Sequence, residues 1–391
     1  MGMRKGKGIL MAMALPVLAC SIGTPAYAVD VPFDADPLSG SILISRADGL
    51  LGWVKQVGGT TLTGVAAQNN QGIGTVREIA IGDIDADGNG DILTARSGAV
   101  TWTERNSATT LGGQCCSFNV SPANSIAVGD LDGDSEGDMI LGRDDGFITW
   151  VEHTPGNLTS NGSTNVGSVT ALAIGDLDGN GKGDVIIAQA SGLLIRQEAS
   201  GGALTGGFGS FNVSPVVTLE IGDIDGDGNG DIIAGRVDGR INWVERSGTA
   251  LTGGGVASFN LGSVADLSLD DANGDGLDEI IVAQSTPGGS VFVLGVGASI
   301  STLSSFALPG SLSITSLDAG DLDGDGLLDI VVGSTDGFIH WLEVSSNGAS
   351  MTHITSFNAG YGVDLRIASL VPEPASLTLL GLGGLMMLRR R

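Results

Sequence analysis

Basic residues are scarce in this 391-residue chain. It has 18 Lys and Arg against 44 Asp and Glu, and a formal net charge of −26. Six of the 18 basic residues lie near the two chain ends, and without those six the formal charge is about −32. Such a charge repels phosphate groups and anionic lipid surfaces. The sequence therefore argues against nucleic acid and anionic membranes as partners.

Cysteine is scarce as well. Of the three cysteines, Cys20 lies in the N-terminal segment, while Cys115 and Cys116 are adjacent in a predicted loop before a strand at Ser117 to Val120. An adjacent pair can form only a strained bridge or stay free. No disulfide framework is therefore predicted to hold the fold.

Histidine is the third scarce residue, and it bears on catalysis. The three histidines are His153, His340 and His353, and none stands in a zinc-type spacing such as H-E-x-x-H. His340 is predicted to be a semi-exposed strand residue. The sequence has no Gly-x-Ser-x-Gly elbow between a strand and a helix, and no convincing amphipathic helix between its two ends. We therefore predict that the chain is not an enzyme and has no catalytic residues.

An acidic nine-residue loop is abundant instead. Six copies, loops 1 to 6, begin at Asp83, Asp130, Asp176, Asp223, Asp271 and Asp321, with successive copies 46 to 50 residues apart. Oxygen-bearing side chains stand at loop positions 1, 3, 5 and 9, a pattern that suits a hard cation. Position 7 has no shared side-chain chemistry, so we infer that it offers its backbone carbonyl. We predict calcium as the cofactor, with about six ions, one for each loop.

The candidate metal-binding positions are 1, 3, 5, 7 and 9 of each loop. They are Asp83, Asp85, Asp87, Asn89 and Asp91 in loop 1; Asp130, Asp132, Asp134, Glu136 and Asp138 in loop 2; Asp176, Asp178, Asn180, Lys182 and Asp184 in loop 3; Asp223, Asp225, Asp227, Asn229 and Asp231 in loop 4; Asp271, Asn273, Asp275, Leu277 and Glu279 in loop 5; and Asp321, Asp323, Asp325, Leu327 and Asp329 in loop 6.

Two alternatives for these loops are less favoured. Polar surface turns would explain the glycines. They would not explain six sets of four oxygen-bearing side chains at the same loop positions. An EF-hand or dockerin-type loop needs an acidic ligand at position 12 between two helices. Position 12 is apolar or threonine in all six copies and lies in runs such as Asp231-Ile232-Ile233-Ala234, which are typical of buried strands.

A hairpin follows each loop, with a two-residue turn such as Asp145-Gly146. Four residues after the turn glycine stands Trp102, Trp150, Arg196, Trp243, Val293 or Trp341, and an upstream hairpin places Trp53 in the same phase. Two further predicted strands complete each unit. Four-stranded units of this length are typical of propeller blades. The predicted fold class is an all-β, seven-bladed β-propeller with calcium loops in six blades.

The seventh blade is predicted to be assembled from both chain ends. Residues 363–367 align with the strand that precedes each loop, and they would complete the blade begun by residues 41–56, closing the ring without a free sheet edge. This alignment places Ser369 where the first loop aspartate should be. The composite blade would therefore bind no calcium.

The loops and hairpins resemble FG-GAP/VCBS repeats, the units of the integrin α-chain type of β-propeller, over roughly residues 30 to 370. The resemblance implies calcium at the loop positions named above. The sequence departs from the family pattern at Ser135 in place of glycine, at Asn180 and Asn273 in place of aspartate, and at Glu279 in place of the final aspartate. Since asparagine lacks a charge, weaker binding is expected in loops 3 and 5.

The two chain ends indicate a destination. Residues 1–28 have a basic start, an apolar stretch and Ala26-Tyr27-Ala28, which predicts a secretory signal peptide cut after Ala28, with a lipoprotein cut before Cys20 as the alternative. Residues 371–391 contain Pro372-Glu373-Pro374, an apolar run too short for an ordinary membrane span and three terminal arginines. This tail resembles a PEP-CTERM sorting signal, which implies processing by an exosortase in a Gram-negative bacterium. The chain then has three parts, the signal peptide at 1–28, the propeller at 29–370 and the sorting tail at 371–391.

These features together predict a protein exported to the cell surface or extracellular matrix. Its expected partners are signal peptidase and an exosortase during export, and an unknown protein or polysaccharide ligand afterwards, with no lasting membrane anchor if the tail is cleaved. We expect a non-enzymatic binding or adhesion module. The alternatives are a lectin whose tryptophans stack on sugars between blades and, less favoured, a polysaccharide hydrolase or lyase. We favour the tryptophans as core residues, because large aromatics often hold such sheets together.

Overall fold

The computed structural model describes residues 41–46, 51–57, 59–65, 76–86, 90–107, 110–154, 157–200, 202–248, 250–253, 259–297, 299–310, 312–360 and 362–368. The predicted signal peptide, the sorting tail, Ser369, Asp87 and Asn89 lie outside these residues. Within them, no helix has the length and apolar character needed to cross a membrane.

All regular elements of the described residues are β-strands, because short runs of β-branched and aliphatic residues alternate with Gly- and Asp-rich turns. The first fifteen are β1 Ser41–Arg46, β2 Leu51–Val57, β3 Thr61–Val65, β4 Val76–Gly82, β5 Asp91–Arg96, β6 Ala99–Ser107, β7 Thr110–Asn119, β8 Ala123–Gly129, β9 Asp138–Arg143, β10 Phe147–Thr154, β11 Asn157–Asn165, β12 Val169–Gly175, β13 Asp184–Gln189, β14 Leu193–Ser200 and β15 Ala203–Asn212. The others are β16 Val216–Gly222, β17 Asp231–Arg236, β18 Arg240–Ser247, β19 Ala250–Gly253, β20 Phe259–Asn260, β21 Asp266–Asp270, β22 Glu279–Ala283, β23 Ser290–Gly295, β24 Ser301–Ala307, β25 Ile314–Gly320, β26 Asp329–Ser334, β27 Phe338–Val344, β28 Met351–Asn358 and β29 Gly362–Ala368.

These strands form seven antiparallel sheets. Six of them are built from strands consecutive in the chain: sheet 1 (β4–β7), sheet 2 (β8–β11), sheet 3 (β12–β15), sheet 4 (β16–β19, with β20 also on β18), sheet 5 (β21–β24) and sheet 6 (β25–β28). The composite sheet has the order β29-β1-β2-β3 and so joins the two ends of the described chain. In this sheet β1 pairs with β29, and the register places Ile42 opposite Ile367 and Ile44 opposite Leu365.

The first strands of the sheets face one another around a common axis. Each of β4, β8, β12, β16, β21, β25 and β29 contacts the next in that order, and β29 also contacts β4. The architecture is therefore an all-β propeller of four-stranded blades, as the sequence predicts.

The core lies between neighbouring blades. The second strand of a blade is buried along nearly its whole length, as in β9, β13 and β17. A blade is covered on both faces by its neighbours, which explains why these strands are continuous apolar runs and not alternating ones. One cluster, for example, joins Ile233 and Trp243 of sheet 4 to Ile280 and Val282 of sheet 5.

Carboxylates on the innermost strands tie adjacent blades together. Glu78 Oε2 accepts the Ile126 N–H at 3.0 Å. Asp266 Oδ2 accepts the Leu317 N–H at 3.1 Å, and Asp318 accepts the Ile367 N–H. The innermost strand is the edge of its sheet, so the backbone amides that point away from the sheet need hydrogen-bond acceptors. The acidic side chains of the preceding blade are these acceptors.

Two sequence predictions about individual residues are wrong. Cys115 and Cys116 lie within β7 and not in a loop before it, because the strand begins at Thr110. His340 is buried, with 5% of its surface exposed, and not semi-exposed. Its ring nitrogens contact Ser334 and Ser356 on the two adjacent strands, and the sequence of its own strand does not reveal these contacts.

Candidate metal sites

All six acidic loops occupy the same place in the blade. Each connects the first strand of a sheet to the second, and its position 9 is the first residue of that second strand: Asp91, Asp138, Asp184, Asp231, Glu279 and Asp329. Because the first strands surround one axis, the loops lie on one face of the propeller.

Hydrogen bonds link consecutive loops across the blades. The position 8 glycine donates its N–H to the position 1 carbonyl of the preceding loop, from Gly137 to Asp83 at 2.9 Å, from Gly183 to Asp130 at 2.8 Å and from Gly230 to Asp176 at 3.0 Å. A Cβ on Gly137 would stand 2.6 Å from the Asp83 carbonyl oxygen. The close approach of the two backbones therefore accounts for glycine at this position.

In loops 2 to 6, backbone amides fold the loop around its position 1 carboxylate. Asp130 accepts N–H groups from Gly133 at 2.6 Å and Ser135 at 3.0 Å. In loop 4, Asp223 accepts the equivalent groups from Gly226 at 2.7 Å and Gly228 at 2.9 Å. Positions 4 and 6 have positive φ, which favours glycine, and Ser135 adopts it with φ 73° at a cost of about 1 to 2 kcal/mol.

Carboxylate oxygens converge in five of the six loops. In each group the ligand atoms lie within 4.8 Å of one another. The groups are Asp83, Asp85 and Asp91; Asp130, Asp132 and Asp138; Asp176, Asp178 and Asp184; Asp223, Asp225 and Asp231; and Asp321, Asp323 and Asp325. Positions 1 and 3 thus belong to every group, and position 9 belongs to four.

Among the described residues, position 5 belongs to a carboxylate group only in loop 6, through Asp325. Asp134 and Asp227 lie outside their groups and accept the N–H of position 7, from Glu136 at 2.8 Å and Asn229 at 2.8 Å. Asn180, Asp275 and Asp325 accept the position 7 N–H of Lys182, Leu277 and Leu327 in the same way. These bonds orient position 5 within the loop. Asp87 and Asn89 of loop 1 lie outside the described residues.

The residues of loop 1 fit a hard cation. Asp85 Oδ1 is buried and has no hydrogen-bond partner among the described residues. A buried oxygen without a partner is costly unless a donor or a cation satisfies it. Two carboxylates about 4 Å apart also repel each other by roughly 1 to 4 kcal/mol, depending on the effective dielectric constant. A divalent cation with oxygen ligands would remove both costs.

The blade tryptophans hold the position 9 carboxylates. Trp150 Nε1 donates to Asp138 Oδ1 at 3.0 Å, and Trp341 Nε1 donates to Asp329 Oδ1 at 2.7 Å. The other oxygen of Asp138 accepts the Leu131 N–H at 2.9 Å. Trp243 lies close enough to Asp231 to lower that carboxyl's pKa, although its N–H is outside hydrogen-bond geometry. Sequence reasoning missed this link, and the constant 12-residue step from position 9 to tryptophan in loops 2 and 6 was the available signal.

Burial strongly shifts the position 9 carboxyl groups. Desolvation raises the pKa of Asp138, Asp231 and Asp329 to about 7 in each case, against the lowering effect of the nearby indole. Desolvation raises the pKa of Asp184 only to about 6, because the charge of Arg196 opposes the shift. These carboxyl groups therefore need a cationic partner to stay ionised at neutral pH.

Loop 5 does not bring its side chains together in this way. Asn273 Nδ2 donates to Glu279 Oε1 at 2.6 Å, so the asparagine presents its amide nitrogen to the position 9 residue. Glu279 Oε2 is buried without a hydrogen-bond partner in the described part of the chain, and desolvation raises the pKa of Glu279 to about 7. The two substitutions from the family pattern thus meet each other inside the loop.

The histidines make structural contacts. His153 Nδ1 lies 3.2 Å from Glu136 Oε2, and its ring packs edge-on against Trp102. The buried His340 ring contacts the hydroxyls of Ser334 at 3.1 Å and Ser356 at 2.9 Å. These hydroxyls satisfy both ring nitrogens, which explains how the imidazole is accommodated in the blade.

Comparisons with known proteins agree with the fold. The family model of the FG-GAP-like repeat matches residues 271–332. No curated protein sequence matches the chain.

Solved structures show the same architecture at low identity. A protein proposed to be a 6-phosphogluconolactonase from Bacteroides fragilis is 12% identical with a TM-score of 0.62, over 85% of this chain and 99% of that one. A second such protein from Bacteroides uniformis is 9% identical with a TM-score of 0.62, over 84% of this chain and 99% of that one. BBS1N, in complex with ARL6DN, is 15% identical with a TM-score of 0.58, over 85% of this chain and 95% of that one. The chain is therefore a β-propeller of four-stranded blades that carries an FG-GAP-like repeat.

Proposed function

We propose that this protein is an exported, calcium-stabilised β-propeller that acts as a non-enzymatic binding or adhesion module at the cell surface or in the extracellular matrix. The observation that carries the proposal is the convergence of carboxylate oxygens in five loops on one face of the propeller. A repeated set of similar loops suits a structural cofactor better than a single reaction centre.

Calcium would be held by the carboxylates of positions 1 and 3, joined by position 9 where that residue belongs to the group. When bound, it would supply the positive charge that keeps these acids ionised and the loop closed. The loop residues themselves position the ligands, since backbone amides fix position 1 and the indole N–H fixes position 9. Each loop joins two strands of one blade, and loops 1, 2 and 3 also accept a hydrogen bond from the next loop, so an ion there would stabilise both the blade and its contact with the next blade.

The complete fold that we propose is a seven-bladed ring closed by the composite sheet. Support comes from the antiparallel pairing of β29 with β1 and from the contacts of β29 with β25 and β4. Closure by a strand from the opposite chain end removes free sheet edges and resists unfolding from the termini. This blade has Ser369 where an acidic loop would begin, and we propose that it binds no calcium.

A binding role is favoured over an enzymatic one by the chemistry of the described residues. The three histidines contact a glutamate or serines in places that serve packing. The Bacteroides proteins share the fold at 12% and 9% identity, which carries no activity over to this chain. The propeller of BBS1N is seen in complex with another protein, and a protein ligand is one of the two ligand classes that we propose here.

A lectin remains the second candidate function, with one restriction. The indoles of Trp102, Trp150, Trp243 and Trp341 are buried, with 6% or less of their surface exposed. They therefore offer no face on which a sugar ring could stack. A polysaccharide would have to bind the propeller through other residues.

The binding function can be tested by affinity capture. The purified chain, immobilised with calcium, is incubated with separate protein and polysaccharide fractions of the producing cell's own envelope and matrix. We expect one fraction to yield a saturable ligand that is released on chelation. Release of new reducing ends from the polysaccharide fraction would contradict the non-enzymatic role, and saturable binding of purified polysaccharide alone would select the lectin.

Export and tail removal can be tested by mass. We expect the intact mass of the protein recovered outside producing cells to lack residues 1–28 and the C-terminal arginines. A recovered chain that still ends in Arg391 would refute sorting by cleavage, and a chain modified at Cys20 would establish the lipoprotein alternative.

A further inference from the structure

We propose that loop 3 binds no calcium, because the guanidinium group of Arg196 takes the place of the ion. The inference rests on the proposed calcium function of the other loops, and it assigns a different state to loop 3 alone. Loop 3 would then be closed permanently by an internal cation, whereas its neighbours would depend on calcium in the medium.

The contacts of Arg196 are those expected of a substitute for a metal ion. Its Nη2 lies 2.9 Å from Asp184 Oδ1 and 3.1 Å from Asp184 Oδ2. The same nitrogen lies 3.4 Å from Asp178 Oδ2, and Glu198 forms a further ion pair with it. One cationic nitrogen thus contacts the carboxylates of position 3 and position 9, two of the three that would share a calcium ion.

The position of Arg196 in the blade explains this geometry. It stands in the phase of the blade tryptophans, 12 residues after position 9, where Trp150 and Trp341 donate one neutral N–H to the equivalent aspartate. An indole leaves the loop's negative charge unchanged, and a cation would still be needed. A guanidinium brings a positive charge and several donors to the same place, so it offsets part of the negative charge of the acids and repels a divalent ion.

Other features of loop 3 lower its affinity for a cation further. Arg246 from the next blade lies 3.0 Å from Asp178 Oδ2, so this carboxylate faces two guanidinium groups. Position 5 is the uncharged Asn180. Loop 4 has none of these cations, although its backbone geometry is closely similar.

Arg196 cannot withdraw to make room for an ion. Its side chain is fully buried, with 0% of its surface exposed, and its strand neighbour is Ile186. Its Nε and Nη1 atoms have no hydrogen-bond partners in the described part of the chain. Removing a carboxylate partner from such a buried cation is strongly unfavourable, so the guanidinium group keeps its hold on Asp184.

A matched pair of variants tests the inference. Asp178→Asn and Asp225→Asn each neutralise position 3, in loop 3 and in loop 4. Bound calcium per chain is measured by elemental analysis after dialysis against a fixed calcium concentration. We expect Asp225→Asn to lose one ion and Asp178→Asn to lose none.

A measurement on the unaltered protein removes any dependence on how the variants fold. On chelation, we expect hydrogen exchange at the Ile224 amide, which donates to Asp231, to become at least tenfold faster. The equivalent Leu177 amide, which donates to Asp184, should keep its rate. Equal calcium loss in both variants, or equal acceleration at both amides, would overturn the inference about loop 3 alone. A wild-type protein without bound calcium would instead overturn the proposed calcium function, and with it this distinction between loops.

Discussion

Removal of calcium is expected to lower the melting temperature of the mature chain by roughly 10 to 20 °C. A ligand present at 100 times its dissociation constant stabilises the folded state by about 2.7 kcal/mol for each site. Loops 1, 2, 4 and 6 have both converging carboxylates and no internal guanidinium group, so four ions would contribute on the order of 10 kcal/mol. In a protein of this size each kcal/mol corresponds to about 2 °C or somewhat less.

The loop geometry makes this effect larger than that of a surface ion pair. Position 9 carboxylates such as Asp138 and Asp231 are 4% and 5% exposed, so water cannot replace the ion around them. Without calcium they must either take up a proton or remain as uncompensated charges. The loops also hydrogen-bond to one another across blades, and loss of one ion therefore weakens the contact with the next blade.

The measurement is calorimetry of the full chain with calcium, with a calcium-selective chelator, and with calcium restored in excess over the chelator. The last arm is the control, because it must recover the original melting temperature. Asp225→Asn, which affects one loop, should show a smaller chelator effect than the wild type. An unchanged melting temperature after chelation would disprove calcium stabilisation.

Much of the architecture follows from local sequence signals that agree with one another. The acidic loop, the apolar run after it and the Asp-Gly or Ser-Gly turn recur in one order, and each has a single structural solution. They predict the all-β class, the four-stranded blades and the place of each loop between the first two strands, and the structure confirms these coarse features. The hydrogen bonds between loops of adjacent blades depend on Gly137 and its equivalents. Turn chemistry alone would also favour glycine at these positions.

The features that the sequence did not reveal depend on contacts between blades or between distant parts of one blade. In the sequence, Arg196 is one of two residues other than tryptophan in the tryptophan phase, but its importance lies in its distance to Asp178 and Asp184. Glu78 reads as a polar residue in an apolar strand, and its role depends on an amide of the next blade. His340 is likewise buried through contacts with Ser334 and Ser356 on adjacent strands, which only the fold identifies. Such contacts can be identified only when the arrangement of the blades is known. The 12-residue step from position 9 to tryptophan or arginine can then be interpreted.

Replacement of Trp150 by alanine is expected to lower the free energy of unfolding by about 3 to 5 kcal/mol, which is the usual cost of truncating a buried aromatic side chain. Trp150 is 1% exposed and packs with Leu131, Ile140 and Val185 between sheets 2 and 3. The truncation also removes the N–H that Asp138 Oδ1 accepts, and an unsatisfied buried carboxylate adds to the cost.

Denaturant unfolding at constant free calcium measures this change, with two control variants. Trp150→Phe keeps most of the apolar volume but loses the N–H, so it should fall between the wild type and Trp150→Ala. Val237→Ala alters a side chain that is 65% exposed and should change stability by less than about 0.5 kcal/mol. If Trp150→Ala retained wild-type stability but lost binding to a polysaccharide, the indole would be a ligand surface and not a core residue. Because Trp150 also orients Asp138 toward the metal position, we expect the alanine variant to bind calcium in loop 2 more weakly, while loop 4, with its own Trp243, keeps its affinity.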